Sequence, residues 1–171
     1  LLGILFLVFL LFARVVDVEN PVQMYYYPAT ALAFLVTTLA GPQLAIIMSM
    51  ALAGLVGFMG GGSFEFTILI ALAGTLGVLS LGRTERLNAY FVAGAGIGIA
   101  IAGVAVLFAL SSETSPDFIE TLAKVIGGII NGMFSAAFAL VGMYVLSNLL
   151  NVPTSLKLVE LQQPNHPLLQ R

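Results

Sequence analysis

The chain has 171 residues, of which 60% are hydrophobic and only 8% are charged. Soluble domains carry roughly a quarter charged residues, and a domain of this size exposes a large share of its surface, so this composition excludes an ordinary water-soluble fold. The net charge of −2, without a basic run, gives no indication of a nucleic-acid partner. The absence of cysteine excludes disulfides and metal sites with cysteine ligands. The environment that suits such a chain is a lipid bilayer.

Long unbroken apolar runs decide the fold class. Only α-helices and closed β-barrels satisfy their backbone polar groups inside lipid, and barrel strands alternate apolar and polar residues, which these runs do not. We therefore predict an all-α, polytopic transmembrane bundle of six spans, most of them near the roughly twenty residues that cross a bilayer, although the first is shorter and the last is longer. The predicted spans are 1–13, 24–40, 44–59, 64–81, 89–110 and 118–150.

Turn-forming and aromatic residues mark the ends of several spans. The tyrosines 25–27 open the second span, a position typical of an interfacial aromatic anchor. Gly41-Pro42 and the three glycines 60–62 predict turns. The sixth run would be about 50 Å long as one straight helix, which exceeds a bilayer core of about 30 Å. It must tilt, extend beyond the membrane, or break near one of its glycines.

The distribution of Lys and Arg predicts the orientation. Alternating the loops places two cations, Arg14 and Lys124, on one side of the membrane and four on the other. The positive-inside rule then puts the 83–86 loop and the C-terminus in the cytoplasm. The four cytoplasmic cations are Arg83, Arg86, Lys157 and Arg171.

Small residues spaced four apart are candidates for helix packing, because they let two backbones approach closely in a membrane. Packing within the chain and a homodimer interface are both open interpretations of these pairs. Asn131 lies between two of the glycines and is expected to form an interhelical hydrogen bond, although intramembrane polar residues are also functional candidates. The packing candidates are Gly57, Gly61, Gly94, Gly98, Gly128, Asn131 and Gly132.

Glu65, at the start of the fourth predicted span, is the acidic residue that we expect to lie nearest to the membrane. It follows the triple-glycine turn, so it is either solvated at the outer interface or part of a site that senses a ligand or an ion. Lys124, near the outer end of the last span, is expected to snorkel towards water. His166 is the single histidine, and metal sites need several ligands. We therefore predict no catalytic, cofactor or metal site within this chain.

The tail 156–169 reads Leu-Lys-Leu-Val-Glu-Leu-Gln-Gln-Pro-Asn-His-Pro-Leu-Leu. It resembles the junction between the last span and the hydrolase domain in seven-transmembrane receptors with an intracellular HD domain, the PgpH-like group. Asn131-Gly132-Met133-Phe134-Ser135 is similar to an Asn-Gly-x-x-Ser element in the family's last span, whereas Pro153-Thr154-Ser155-Leu156 departs from a Thr-Thr-x-Leu-like sequence. The residues of the junction motif are Glu160, Leu161, Pro164, Asn165, His166 and Pro167.

The resemblance implies that 1–151 is the membrane bundle and that 152–171 leads into a cytoplasmic HD domain. We expect the chain to be part of a longer protein, beginning at the second of seven spans and ending before that domain. The resemblance also implies hydrolysis of a cyclic dinucleotide, cyclic di-AMP in the known cases, with two divalent metals, which the HD domain would hold.

The implied location is the inner membrane of a bacterium. The implied partners are the lipid bilayer, the HD domain in cis and a possible homodimer. The implied role is anchoring and signal transduction. A small-solute transporter or channel and an anchor without sensing are the alternatives.

Overall fold

The computed structural model describes residues 1–16, 20–81, 87–111 and 117–150. Every regular element in these ranges is helical, which confirms the predicted all-α bundle. The 83–86 loop and the junction motif, 160–167, lie outside the described residues. The elements are α1 (Leu2–Val15), a 3₁₀ turn (Gln23–Tyr26), α2 (Ala29–Ala40), α3 (Pro42–Met59), α4 (Phe64–Leu81), α5 (Leu87–Ser111) and α6 (Phe118–Leu150).

Four of the described helices, α3 to α6, are long and apolar enough to cross a membrane. α1 is apolar but shorter. α6 is a single α-helix of 33 residues, about 50 Å long. Of the three possibilities for this long run, a break at the glycines is therefore the one that the structure does not show.

The second predicted span is divided in the structure. Its α-helix begins only at Ala29, after the 3₁₀ turn and an extended residue, Tyr27, with ψ of 116°. Pro28 favours an interruption at this point, because it has no N–H to donate to the carbonyl of Met24 and it disfavours the α conformation in the residue before it. The resulting α2 has 12 residues and is about 18 Å long.

α2 lies at the centre of the bundle. The nine residues from Ala29 to Thr37 are all buried, and α2 contacts α1, α3, α4 and α6. A helix that is enclosed on all sides needs an apolar surface all round, which explains why α2 carries no charged residue. Gly41, with φ of 94°, allows the sharp reversal from α2 into α3.

The closest helix crossing joins α5 and α6 through four glycines. A Cβ atom on Gly94 would lie 2.5 Å from the carbonyl oxygen of Gly132, and one on Gly98 would lie 3.0 Å from the Cα of Ile129. A Cβ on Gly128 would lie 3.0 Å from the backbone nitrogen of Ala102. Gly94 and Gly98 of α5 thus pack against α6, and Gly128 and Gly132 of α6 pack against α5. All four are used within one chain, so a homodimer would need another surface.

The remaining glycine pair has a different arrangement. Gly57 in α3 faces the side chain of Thr67 in α4. Gly61 has φ of 72° and no heavy atom within 4 Å of an added Cβ, because it belongs to the turn between α3 and α4. The spacing of four therefore corresponds to a packing contact at Gly57 and to a turn conformation at Gly61.

Gly132→Ala is expected to destabilise the bundle by about 1–3 kcal/mol, because its methyl group would overlap the backbones of Gly94 and Gly98. Gly96→Ala is the matched control: Gly96 is also helical, and nothing lies within 4 Å of its added Cβ. We expect the control to be as stable as the parent or up to about 1 kcal/mol more stable, because alanine is the better helix former. Denaturant unfolding in detergent micelles would measure both changes, and equal stability of the two variants would contradict this description of the crossing.

Candidate functional site

Residues 23–28 comprise the 3₁₀ turn and the two residues before α2. None of them is α-helical, and we call this segment the helix break. The amide of Tyr27 donates to the carbonyl of Met24 at 3.1 Å, and the amide of Ala29 donates to the carbonyl of Tyr27 at 2.8 Å. In an α-helix the amide of Ala29 would instead bond to the carbonyl of Tyr25, four residues earlier. The helix break therefore removes the usual helical donor from the Tyr25 carbonyl.

Asn131 of α6 supplies the missing donor. Its Nδ2 donates to the carbonyl oxygen of Tyr25 at 2.9 Å and to that of Tyr27 at 2.7 Å. Its Oδ1 accepts a hydrogen bond from Ser135 Oγ at 3.0 Å, and both side chains are buried. A buried carbonyl without a donor costs about 1–3 kcal/mol, so Asn131 makes the helix break tolerable inside the bundle.

Gly127 lets the helix break lie directly against α6. A Cβ atom at this position would lie 3.1 Å from the Cβ of Tyr25 and 2.9 Å from the Cε2 of Tyr26. Gly127 and Asn131 are four residues apart, so they lie on the same face of α6. One residue therefore permits the close approach, and the other forms hydrogen bonds across it.

A second set of contacts holds the Tyr25 side chain; we call Tyr25, Glu65, Glu120 and Lys124 the Lys124 cluster. Tyr25 donates its hydroxyl proton to Glu65 Oε1 at 2.7 Å. Lys124 Nζ lies 3.4 Å from the same oxygen and 3.0 Å from Glu120 Oε1, and 5.7 Å from the centroid of the Tyr25 ring. The cluster thus joins the helix break, the first turn of α4 and the N-terminal part of α6.

The cluster is partly exposed. The side chains of Lys124, Glu65 and Glu120 are 12%, 20% and 43% exposed. Both carboxylates lie in the first turn of their helices, where the helix dipole favours negative charge. Ion pairs with access to solvent contribute only about 0–1 kcal/mol, so the cluster can be opened far more easily than the buried Asn131 contacts.

Tyr25 is held at both of its ends. Asn131 binds its backbone, and the Lys124 cluster binds its hydroxyl and its ring. Tyr27 extends the connection to α1, because its hydroxyl donates to the carbonyl of Phe9 at 2.7 Å. A displacement of α6 at Lys124 or Asn131 would therefore move the helix break together with the elements bonded to it.

The prediction of an interfacial tyrosine anchor is wrong for two of the three tyrosines. Tyr25 and Tyr27 are 0% exposed, and Tyr26 is 38% exposed. The extended backbone before Pro28 turns the tyrosines into the bundle, where their hydroxyls find acceptors. Lys124, which was expected to reach water, lies between two carboxylates instead.

The structure brings two of the predicted site residues together, because Glu65 and Asn131 both contact Tyr25. The glycines 94, 98, 128 and 132 form the neighbouring helix crossing. Sequence reasoning missed the roles of Tyr25 and Gly127 in this site. An Asn in an apolar helix needs a polar partner, and the Tyr27–Pro28 pair marked the point in the second span where a backbone carbonyl lacks its helical donor. Within the described ranges, no group of three or more His, Cys, Asp or Glu residues could hold a metal.

Tyr25→Phe is expected to lower the stability of the bundle by about 1 kcal/mol, because Glu65 loses the hydroxyl that donates to it. Tyr26→Phe is the matched control, since the Tyr26 hydroxyl lies 3.5 Å from the carbonyl of Ala123 in an exposed position. Denaturant unfolding in detergent micelles would separate the two variants. If Tyr26→Phe lowered the free energy of unfolding as much as Tyr25→Phe, the hydrogen bond to Glu65 would contribute no more to stability than the exposed contact of Tyr26.

Comparison with known families gave one match that covers most of the chain. The family model described as 7TM receptor with intracellular HD hydrolase matches residues 1–154, a range that includes every described residue. Neither the curated proteins nor the solved structures that were compared with the chain gave a match. The apolar helices α3 to α6 agree with the multi-pass membrane character of this family. The chain therefore belongs to the family of 7TM receptors with an intracellular HD hydrolase.

Proposed function

We propose that this chain is the anchoring, signal-sensing and transducing membrane region of a metal-dependent HD phosphohydrolase that acts on cyclic di-AMP. The observation that carries the proposal is the family match over residues 1–154, because this family joins a membrane receptor to an intracellular HD hydrolase. The resemblance of the tail 156–169 to the PgpH-like junction supports the choice of cyclic di-AMP. The divalent metals and their ligands belong to the HD domain in this proposal.

The Lys124 cluster is the proposed sensing site. Its ion pairs are partly exposed, so a change in the surroundings can alter them at a small free-energy cost. Glu65 is the residue within it that was singled out from the sequence. In the proposed orientation, which the positive-inside rule supports, this end of the bundle faces the outside of the cell.

α6 is the proposed path of the signal. It is one continuous helix from Phe118 to Leu150, and about 40 Å separate Lys124 from its C-terminal end. A displacement at the Lys124 cluster would reach the opposite side of the membrane through this helix. In the proposed arrangement the segment 152–171 then passes the displacement to the HD domain in cis.

The experiment is a comparison of full-length proteins reconstituted in lipid vesicles, with cyclic di-AMP hydrolysis in the presence of Mn²⁺ as the readout. Replacing residues 1–150 with an unrelated helical anchor is expected to retain hydrolysis but to change its rate by about fivefold or more, a typical coupling between two sites. A full-length protein that leaves cyclic di-AMP intact but hydrolyses another cyclic dinucleotide would overturn the substrate assignment. An unchanged rate of hydrolysis in the chimera would show that the membrane region is an anchor without a sensing role.

Lys124→Met tests the proposed sensing site within the native bundle. It removes the ammonium group that lies between Glu65 and Glu120, so we expect a change in the rate of cyclic di-AMP hydrolysis of about fivefold or more. Arg14→Gln is the matched control, because it also removes a cation, from an exposed position at the end of α1. Equal rates in the parent, Lys124→Met and Arg14→Gln would exclude the cluster as the place where the signal acts.

A further inference from the structure

Two carbonyls of the helix break can accept hydrogen bonds from either of two sets of donors. In the structure, Asn131 Nδ2 donates to the carbonyls of Tyr25 and Tyr27. In a continuous α-helix these two carbonyls would accept from the amides of Ala29 and Ala31, four residues further along. The amide of Ala29 now donates to Tyr27 at 2.8 Å and that of Ala31 donates to Pro28 at 3.1 Å. Asn131 therefore bonds to the acceptors that a continuous helix would use.

Few backbone torsions separate the two arrangements. Tyr27 has φ of −71° and Pro28 has φ of −80°, and both values already lie in the helical range. Only their ψ angles, 116° and 54°, are outside it. The segment before them is a 3₁₀ turn and the segment after them is α2, so two ψ rotations would connect them into one helix.

Pro28 does not forbid the continuous form. It cannot donate to the carbonyl of Met24, and its ring crowds the preceding turn, so the helix would be kinked at this point. Membrane helices tolerate such kinks, because neighbouring helices and local adjustments satisfy the freed backbone groups. In a membrane, moreover, a Tyr25 carbonyl that has lost Asn131 gains from acquiring the Ala29 amide as its donor.

We propose that residues 23–31 are a two-state helix switch that Asn131 holds in the unwound state. When a movement of α6 withdraws Asn131, the segment winds into a kinked helix continuous with α2. Winding turns the Tyr25 hydroxyl away from Glu65 and releases the Lys124 cluster. Because each state has its own hydrogen bonds, the position of α6 and the conformation of the helix break bias each other. The switch concerns the backbone of this chain alone, so its test is independent of the proposed hydrolase function.

The test measures the conformation of Tyr27 in the full chain in lipid nanodiscs. Tyr followed by Pro occurs once in the sequence, so labelling tyrosine with ¹³C and proline with ¹⁵N selects the Tyr27–Pro28 peptide in solid-state NMR. In the parent, the carbonyl and Cα chemical shifts of Tyr27 are expected to have values typical of an extended backbone. Asn131→Leu, which removes both donated hydrogen bonds, is expected to move them to α-helical values. Tyr27 chemical shifts that keep extended values in Asn131→Leu would overturn the proposal.

Ser135→Ala is the matched control. It removes the hydrogen bond to Asn131 Oδ1 but leaves the Nδ2 donors in place. The Tyr27 shifts are expected to stay extended in this variant. Helical shifts in Ser135→Ala would show that loosening this region, rather than losing the Asn131 donors, winds the segment, which would also overturn the proposal.

Pro28→Ala separates the effect of Asn131 from that of the proline, because alanine can donate its N–H to the carbonyl of Met24 and is the better helix former. The selected peptide bond then joins Tyr27 to the introduced alanine. Labelling with ¹³C-tyrosine and ¹⁵N-alanine makes it unique, since no tyrosine in the parent precedes an alanine. The proposal requires Tyr27 to remain extended in Pro28→Ala and to become helical in the Pro28→Ala, Asn131→Leu double variant. Helical Tyr27 in Pro28→Ala alone would show that Pro28, and not Asn131, holds the unwound state.

Discussion

The two hydrogen bonds from Asn131 to the carbonyls of Tyr25 and Tyr27 are the interaction on which the other features depend. Lipid offers no donor to a free carbonyl, so an irregular backbone inside a membrane bundle exists only where protein groups satisfy it. Without Asn131, the chain could not leave the helical conformation at Tyr27 at a tolerable free-energy cost. The inward placement of the tyrosines and the Lys124 cluster follows from that departure.

The glycine crossing determines where Asn131 points. Gly128 and Gly132 face α5, whereas Gly127 and Asn131 face the helix break. Neighbouring positions on an α-helix differ by about 100° around its axis, so the close contact with α5 fixes the rotation of α6 that brings Asn131 to the tyrosine carbonyls. The small residues and the polar residue in 127–132 therefore work as one unit, with packing on one face and hydrogen bonding on the next.

The all-α fold could be predicted from the apolar runs, because lipid leaves few alternatives to helices. The role of Tyr25 could not, since it arises from contacts with Glu65 and Asn131, which are 40 and 106 positions away in the sequence. The Gly-x-x-x-Gly spacing indicated close packing but could not distinguish a partner helix in the same chain from one in a second copy. Pro28 could have shown where the second span is interrupted, since its missing N–H is a local property.

The shortness of α2 has a consequence for how this protein enters the membrane. Its 12 residues are well below the roughly twenty that an independently inserting segment needs, and the tyrosines before it carry hydroxyls that require partners. Gly41 connects α2 tightly to the longer α3, which makes a helical hairpin the natural unit of insertion. Biogenesis of the central helix therefore depends on its neighbours, and the most enclosed part of the bundle is the part least able to reach the bilayer alone.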